Sequence, residues 1–179
     1  MKIWTIGHST RSFDELKAAL VAHRIELLAD VRAFPSSRRY PHFNRAELEI
    51  ELPKAGIAYQ WLGVALGGRR KASRDTSNVA LRNDGFRGYA DHMASQPFRD
   101  GIHTLIERAA ESRIAIMCAE QLWWRCHRSM ISDYLVGVFG LDVEHIYDAR
   151  RAESHRLNRL ARVENGALIY DRNETGRLL

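Results

Sequence analysis

Two cysteines and four prolines are all that the 179 residues contain. Two thiols cannot build a disulfide framework, so a reducing cytoplasm is the expected compartment. There is no internal repeat, no low-complexity tract and no linker, which excludes a repeat array and a tethered multidomain chain. No apolar run approaches the roughly 20 residues that cross a bilayer, so no membrane partner is expected. The N-terminus has no basic stretch leading into a long apolar region, so no signal peptide is expected. No G-x-G-x-x-G follows the first apolar run, and the dinucleotide fingerprint is therefore missing. No motif in the chain specifies a cofactor.

What is present is ordinary in amount and uneven in placement. Hydrophobic residues make up 45% and charged residues 27% of the chain, enough for one domain, spanning 1–179, to bury a core. The formal net charge is +5. Such a balance suits an anionic partner, either nucleic acid or a phosphorylated small molecule, and equally suits a merely basic surface. Much of the excess sits in a polar segment from Leu66 to Gly88. There Arg69, Arg70, Lys71, Arg74, Arg82 and Arg87 face only Asp75 and Asp84, an excess of four. A stretch this long without apolar periodicity reads as a flexible basic loop of about 66–88, either a flap over an anion site or a solvated insertion.

The periodicity alternates between strand and helix. Lys2 to Ile6 is a β-like run, and Ser12-Phe-Asp-Glu15 is a capping box opening a helix to about His23. Ile25 to Val31 is a second strand, which makes a parallel βαβ unit. Pro35 and Pro41 keep the next stretch out of a helix, and Asn44 is placed to cap a helix carrying Leu48 and Leu52. Ile57 to Leu62 is a third strand. Two helices follow, about Phe86 to Ser95 and one carrying Ile102, Leu105 and Ile106 after Pro97. Ile114 to Met117 is a strand, Met130 to Val138 a helix stopped by Gly140, and Leu141 to Tyr147 a strand. His155 to Leu160 reads as a short helix. Asn165-Gly166 between two apolar runs predicts a type I′ hairpin over Val163 to Tyr170. The expected fold is α/β, a mostly parallel central sheet with helices on both faces.

In an open parallel sheet, ligands sit beyond the carboxyl ends of the strands. Three strands here end in polar clusters: Gly7, His8 and Ser9; Asp30 and Arg32; Cys118 and Glu120. The next helix opens with Cys126, His127 and Arg128. A parallel sheet puts all of them on one edge. Gly7, His8, Ser9, Asp30, Arg32 and Arg128 are the candidate substrate-binding residues, the arginines for bidentate contact with phosphate or carboxylate. Cys118, Glu120, Cys126 and His127 are the candidate catalytic residues. Cys126 at a helix start beside a histidine has the setting of a partial thiolate, and Glu120 or His127 can move protons. The bland alternatives are a small buried Cys118, an Asp30–Arg32 structural ion pair, and Trp123 and Trp124 packing their loop.

Three chemistries bear on the spacing. A cysteine phosphatase loop has five residues between Cys and Arg, whereas Cys118 and Arg125 have six between them and no glycine. Zinc bound by Cys118, Cys126 and His127, with His8 as a fourth ligand, lacks the tight C-x₂-C pair. No metal is therefore assigned. An enzyme acting on a nucleic acid, nucleotide or other phosphorylated substrate is the leading expectation. A non-catalytic nucleic-acid-binding module and a cysteine-based metal or redox protein are the alternatives.

Thr5-Ile-Gly-His-Ser9, Asp30-Val-Arg32 with Pro35 and Ser37, Gly67-Gly68, and Met117-Cys118-Ala-Glu120 followed by Cys126-His127-Arg128 together resemble the DUF488 family. The resemblance spans roughly residues 1 to 150, with His145-Ile146 and His155 near its end. Thr10 stands where the family often has Asn. The resemblance implies an α/β domain whose site is formed by those motifs, and a link to nucleic-acid metabolism.

Overall fold

In the strands, apolar side chains alternate between two cores, and that parity decides which polar residues meet. The computed structural model describes residues 1–173 and 175. The expected domain runs to residue 179, so its last residues lie outside the described ones. In β4 (Ile114–Cys118), Ile114, Ile116 and Cys118 join one core while Ala115 and Met117 join the other. In β1 (Lys2–Gly7), Ile3 belongs to the first core and Trp4 and Ile6 to the second. The period of two in a pleated strand produces this division.

The sheet has six strands in the order β3-β2-β4-β1-β5-β6. They are β2 (Leu27–Asp30), β3 (Ala58–Trp61), β5 (Asp142–Ile146) and β6 (Ala152–Ser154), with β1 and β4 in the centre. All neighbours are parallel except β5 and β6. The expected βαβ unit of β1 and β2 is present, with β4 inserted between its two strands. Helix α1 (Phe13–Ala22) and α2 (Arg45–Lys54) cover one face through Leu16, Leu20, Leu48 and Leu52. The short α3 (Gly63–Leu66), then α4 (Asp84–Met93), α5 (Gln96–Glu111) and α6 (Arg128–Phe139), cover the other. The chain is thus α/β, with a mostly parallel sheet and helices on both faces. Among the described residues no helix is long and apolar enough to cross a membrane.

Local signals account for most of the boundaries. Ser12 and Glu15 bond reciprocally across the start of α1. Ser95 caps α5, with Pro97 in its first turn. Gly140 ends α6 at φ 64°, the left-handed region. The hairpin of β7 (Ala161–Glu164) and β8 (Ala167–Tyr170) turns on Asn165 at φ 49° and Gly166 at φ 75°, as a type I′ turn requires.

Two expectations fail. Asn44 precedes α2, but its side chain makes no cap; it accepts from the Ser37 N–H at 2.6 Å, so the preceding loop has taken the cap's acceptor. Residues 155–160 form no helix. His155 instead continues from β6, its N–H bonding to the carbonyl of Val143 at 2.8 Å, and its ring is drawn into the core. The basic segment after Leu66 carries no helix or strand until α4. It is laced to α4 and β8: Ser73 N–H and Asn78 Nδ2 donate to Asp91, and Tyr170 N–H donates to Asn78 Oδ1.

Candidate functional site

Parity places Cys118 on the α6 face, with Thr5 of β1 and His145 of β5. Beyond β4, a 3₁₀ turn at Trp123–Arg125 reverses the chain, held by Cys126 N–H to the Trp123 carbonyl at 3.1 Å. Cys126 and His127 then fall beneath the end of β4, just before α6. The helix begins at Arg128, two residues later than the sequence reading had it opening.

Three donor atoms meet there. Cys118 Sγ is 3.9 Å and Cys126 Sγ 3.7 Å from Nδ1 of His127. All three lie within 4.8 Å of one another. The other ring nitrogen, Nε2, is 3.1 Å from the carbonyl of Val31. A carbonyl only accepts, so Nε2 carries a proton and Nδ1 is the nitrogen that faces the two sulfurs. The thiols are buried, with Cys118 9% and Cys126 4% exposed. Cys118 donates toward Cys126 and, with His127 and Arg128 beside it, holds that thiol well below its usual range. The same bond and burial push Cys118 well above its own. Cys126 is therefore the more acidic thiol of the pair and Cys118 the less acidic.

The basic segment closes over this cluster. Gly68 lies so near that a Cβ there would stand 3.0 Å from Nδ1 of His127. The Tyr89 ring is 5.0 Å from that of His127, and its hydroxyl donates to the Leu66 carbonyl at 2.7 Å.

Arg128 is 1% exposed. Its guanidinium donates to the carbonyls of Glu120 and Gln121 and, through Nη1, to Thr5 Oγ1 at 3.3 Å. Among the described residues its buried Nε has no partner. Gly7 makes this bridge possible, since a Cβ there would stand 1.9 Å from the Glu120 carbonyl oxygen and 2.8 Å from Nη2 of Arg128. From Thr5 a buried chain continues. Thr5 Oγ1 is 2.8 Å from Nδ1 of His145, and Nε2 of His145 is 2.9 Å from Nδ1 of His155. Nε2 of His155 is 2.9 Å from Oδ1 of Asp133, whose Oδ2 accepts from Tyr170 at 2.8 Å. Trp123 stacks on His145 at 4.1 Å and donates to Glu153 at 2.7 Å. It packs the loop, while Trp124 is exposed.

A second cluster lies on the α1–α2 side. Asp30 and Arg32 form a buried ion pair at 2.5 Å, and Arg32 also donates to the Phe43 carbonyl at 2.8 Å. Tyr59 donates to Asp30 at 2.7 Å. Nη1 of Arg32 meets Nε2 of His8 at 3.2 Å, and Nδ1 of His8 meets the Ser9 carbonyl at 3.0 Å. Burial, then the charge of Arg32, lower His8 to about 4.

The structure thus brings Cys118, Cys126 and His127 together, with Arg128 and Gly7 supporting them. It sets Asp30, Arg32 and His8 beside them as a mutually satisfied group. Ser9 contributes backbone, its N–H bonding to the Ala119 carbonyl at 3.0 Å. Glu120 is exposed; its carboxylate accepts from Leu122 N–H at 3.3 Å, outside the thiol cluster. The sequence reading assigned no role to Thr5, Asp133, Tyr170 or the Val31 carbonyl. Only the strand parity shared by Thr5 and His145 offered a signal for them.

The molecule is therefore an α/β protein in which two thiols and an imidazole meet at the carboxyl edge of a mostly parallel sheet. The family profile described as Domain of unknown function DUF488 matches residues 12–135, and the chain belongs to that family. The matched span includes Asp30, Arg32, Cys118, Glu120 and Cys126 to Arg128, and begins after Gly7 to Ser9. No curated protein and no solved structure matches the chain.

Proposed function

We propose that the protein is an enzyme acting on a phosphate-bearing substrate, a nucleotide or nucleic acid, with Cys118, Cys126 and His127 as its reactive groups. The observation that carries this reading is the meeting of two thiols and one imidazole lone pair within 4.8 Å at the sheet's carboxyl edge. Topology supports the same place. β4 sends its connection to α6, whereas its neighbours β1 and β2 send theirs to α1 and α2 on the opposite face. Crevices open in α/β sheets where adjacent connections diverge in this way.

The site contains an activated nucleophile. Cys126 is the thiol held toward its ionised form, the Val31 carbonyl orients His127 so that Nδ1 faces it to take its proton, and Arg128 adds a buried positive charge. Support for an anionic substrate comes from the basic segment. A cavity of about 500 Å³ there is lined by Arg70, Lys71, Arg74 and Arg87, with Asp84 the acidic residue. Arg70 is tied to the Gly67 carbonyl, one residue from the glycine over His127. Neither the 500 Å³ cavity nor one of about 820 Å³ beside Leu81, Phe86 and Leu160 is lined by Cys118, Cys126 or His127. Size alone is a poorer guide here than chemistry.

The test is turnover of a panel of nucleotides and single- and double-stranded nucleic acids by the wild type, Cys118→Ser, Cys126→Ser and the double variant. Loss in Cys126→Ser with retained fold is expected. Full turnover by the double variant would sink the thiol assignment.

The cationic lining of the 500 Å³ cavity also favours a second reading, a nucleic-acid-binding module without catalysis. Its mark is affinity that falls steeply with salt and is indifferent to both cysteine substitutions.

A further inference from the structure

We infer that Cys118, Cys126 and His127 together ligate one divalent metal ion of the zinc type, leaving a fourth coordination position open. The inference rests on the thiol site just described, and not on the class of substrate.

The spacing of the donors fits a metal better than it fits hydrogen bonds alone. Zinc–sulfur bonds of about 2.3 Å and zinc–nitrogen bonds of about 2.0 Å at a tetrahedral angle put S and N roughly 3.6 Å apart. The two S···N separations are 3.9 and 3.7 Å, within a few tenths of that edge. The lone pair on Nδ1 can take a proton from only one thiol, so a cysteine–histidine couple brings only one sulfur to the imidazole. A metal uses both.

The surroundings of His127 are those of a metal ligand. Its Nε2–H is donated to a backbone carbonyl, that of Val31. Such an outer partner fixes the tautomer and turns the Nδ1 lone pair inward. Gly68 faces Nδ1 without a side chain, and a methyl group there would stand 3.0 Å from the nitrogen. The ligands are also preformed: Cys118 is the last residue of a central strand, and Cys126 and His127 lie between a hydrogen-bonded turn and α6.

Charge settles the kind of ion. Two thiolates and a neutral imidazole offset the charge of a dication, so a neutral unit occupies the buried site in place of a lone ionised group. Two sulfurs and one nitrogen are soft and borderline donors, which suits zinc and disfavours calcium or magnesium. Among the described residues no fourth protein ligand completes the set. His8 has both nitrogens engaged, with Ser9 and Arg32, and the Glu120 carboxylate is turned to Leu122 N–H. Three protein ligands and an open position are the pattern of a catalytic zinc, where bound water or a substrate oxygen takes the fourth place.

The test is carried out on the full-length wild-type protein, purified without chelator under a non-thiol reductant. Elemental analysis is expected to find zinc in one-to-one ratio. After chelation, titration with Co²⁺ alone is expected to give thiolate-to-cobalt charge transfer and the intense visible bands of tetrahedral cobalt. Cys118→Ser, Cys126→Ser and His127→Ala are expected to lose the charge transfer or the tetrahedral bands, and His8→Ala to keep both. Protein that carries no zinc and gives no cobalt–thiolate band overturns the inference, as does retention of the full spectrum by Cys126→Ser. The outcomes separate the two proposals: turnover by protein that carries no zinc and binds no cobalt removes the metal and keeps the enzyme, whereas bound metal without turnover of any substrate does the reverse.

Discussion

Nε2 of His145 lies 2.9 Å from Nδ1 of His155, and both rings are buried. Two histidines this close share one proton between them. Asp133 only accepts, so Nε2 of His155 carries a proton toward it. With one proton per ring, Nδ1 of His155 accepts from Nε2–H of His145, and Nδ1 of His145 accepts from the Thr5 hydroxyl. Arg128 then donates to Thr5. Every link has one donor and one acceptor, and the chain joins a buried carboxylate to the buried guanidinium beside the thiols. Imidazole ¹⁵N shifts are expected to report both rings as Nε2–H tautomers; an Nδ1–H signal from either ring would break the assignment.

The acid end of that chain holds the C-terminal hairpin. Asp133 accepts from His155, the Asn158 N–H and Tyr170. Asp133→Ala leaves two buried donors, His155 and Tyr170, and the Asn158 N–H without their acceptor and is expected to cost about 3 kcal/mol or more. Tyr170→Phe removes one of those bonds and is expected to cost about 1–2 kcal/mol. Urea unfolding midpoints compare the two, and an equal loss in both variants would contradict this account.

Asp30 and Arg32 have side chains 0% and 6% exposed. Removing one partner of such a pair strands the other charge. Asp30→Asn is therefore expected to destabilise the fold by roughly 3–5 kcal/mol, whereas the exposed Lys17–Asp14 pair is expected to cost under about 1 kcal/mol when broken. Thermal unfolding of Asp30→Asn and Asp14→Asn provides the comparison.

Acid is expected to weaken the protein before its carboxylates titrate. Burial, then Arg32, lowers His8 from 6.5 to about 4, and burial, then His155, lowers His145 from 6.5 to about 3. Below pH 6.5 the unfolded chain takes up protons that the folded chain refuses, so stability falls as pH falls. The loss begins near 6.5 and is complete for His8 near 4, where it reaches about 3 kcal/mol. His145 extends the decline to about 3. Above 6.5 neither group contributes. A urea midpoint that stays level between pH 7 and pH 5 would remove this effect.

Gly7 is the tightest point of the site. A methyl group there would overlap the Glu120 carbonyl oxygen at 1.9 Å, and that backbone has no flexible end to yield. Gly7→Ala is expected to cost about 1–3 kcal/mol and to displace Arg128 from its carbonyls. Differential scanning calorimetry measures the first, and a crystal structure of the variant the second.

Much of the framework was legible because its causes are local. The capping box at Ser12 and Glu15, the stop at Gly140 and the turn at Asn165-Gly166 each act over three or four residues. The apolar run Ile114 to Met117 marked a buried strand, and the polar residues following it marked the sheet edge. Where the reading failed, a distant partner had intervened. Asn44 was drawn to Ser37 instead of its helix. His155 was drawn to Asp133 and His145, which kept residues 155–160 extended or irregular. Arg32 pairs with Asp30, the ion pair that the sequence also offered, and with the Phe43 carbonyl.

By itself, then, the sequence determined the kinds of element, their approximate ends, the α/β class and the edge on which the polar residues gather. Hydrophobic period, capping groups and turn residues carry that information within a few positions. Only the tertiary structure decided that β4 lies between β1 and β2, so that Cys118 meets Thr5 and His145 on the α6 face. It also decided that Glu120 contributes a carbonyl while Cys126 and His127 turn inward. A buried polar group must find a partner, and which partner stands opposite depends on strand order, which no local pattern encodes.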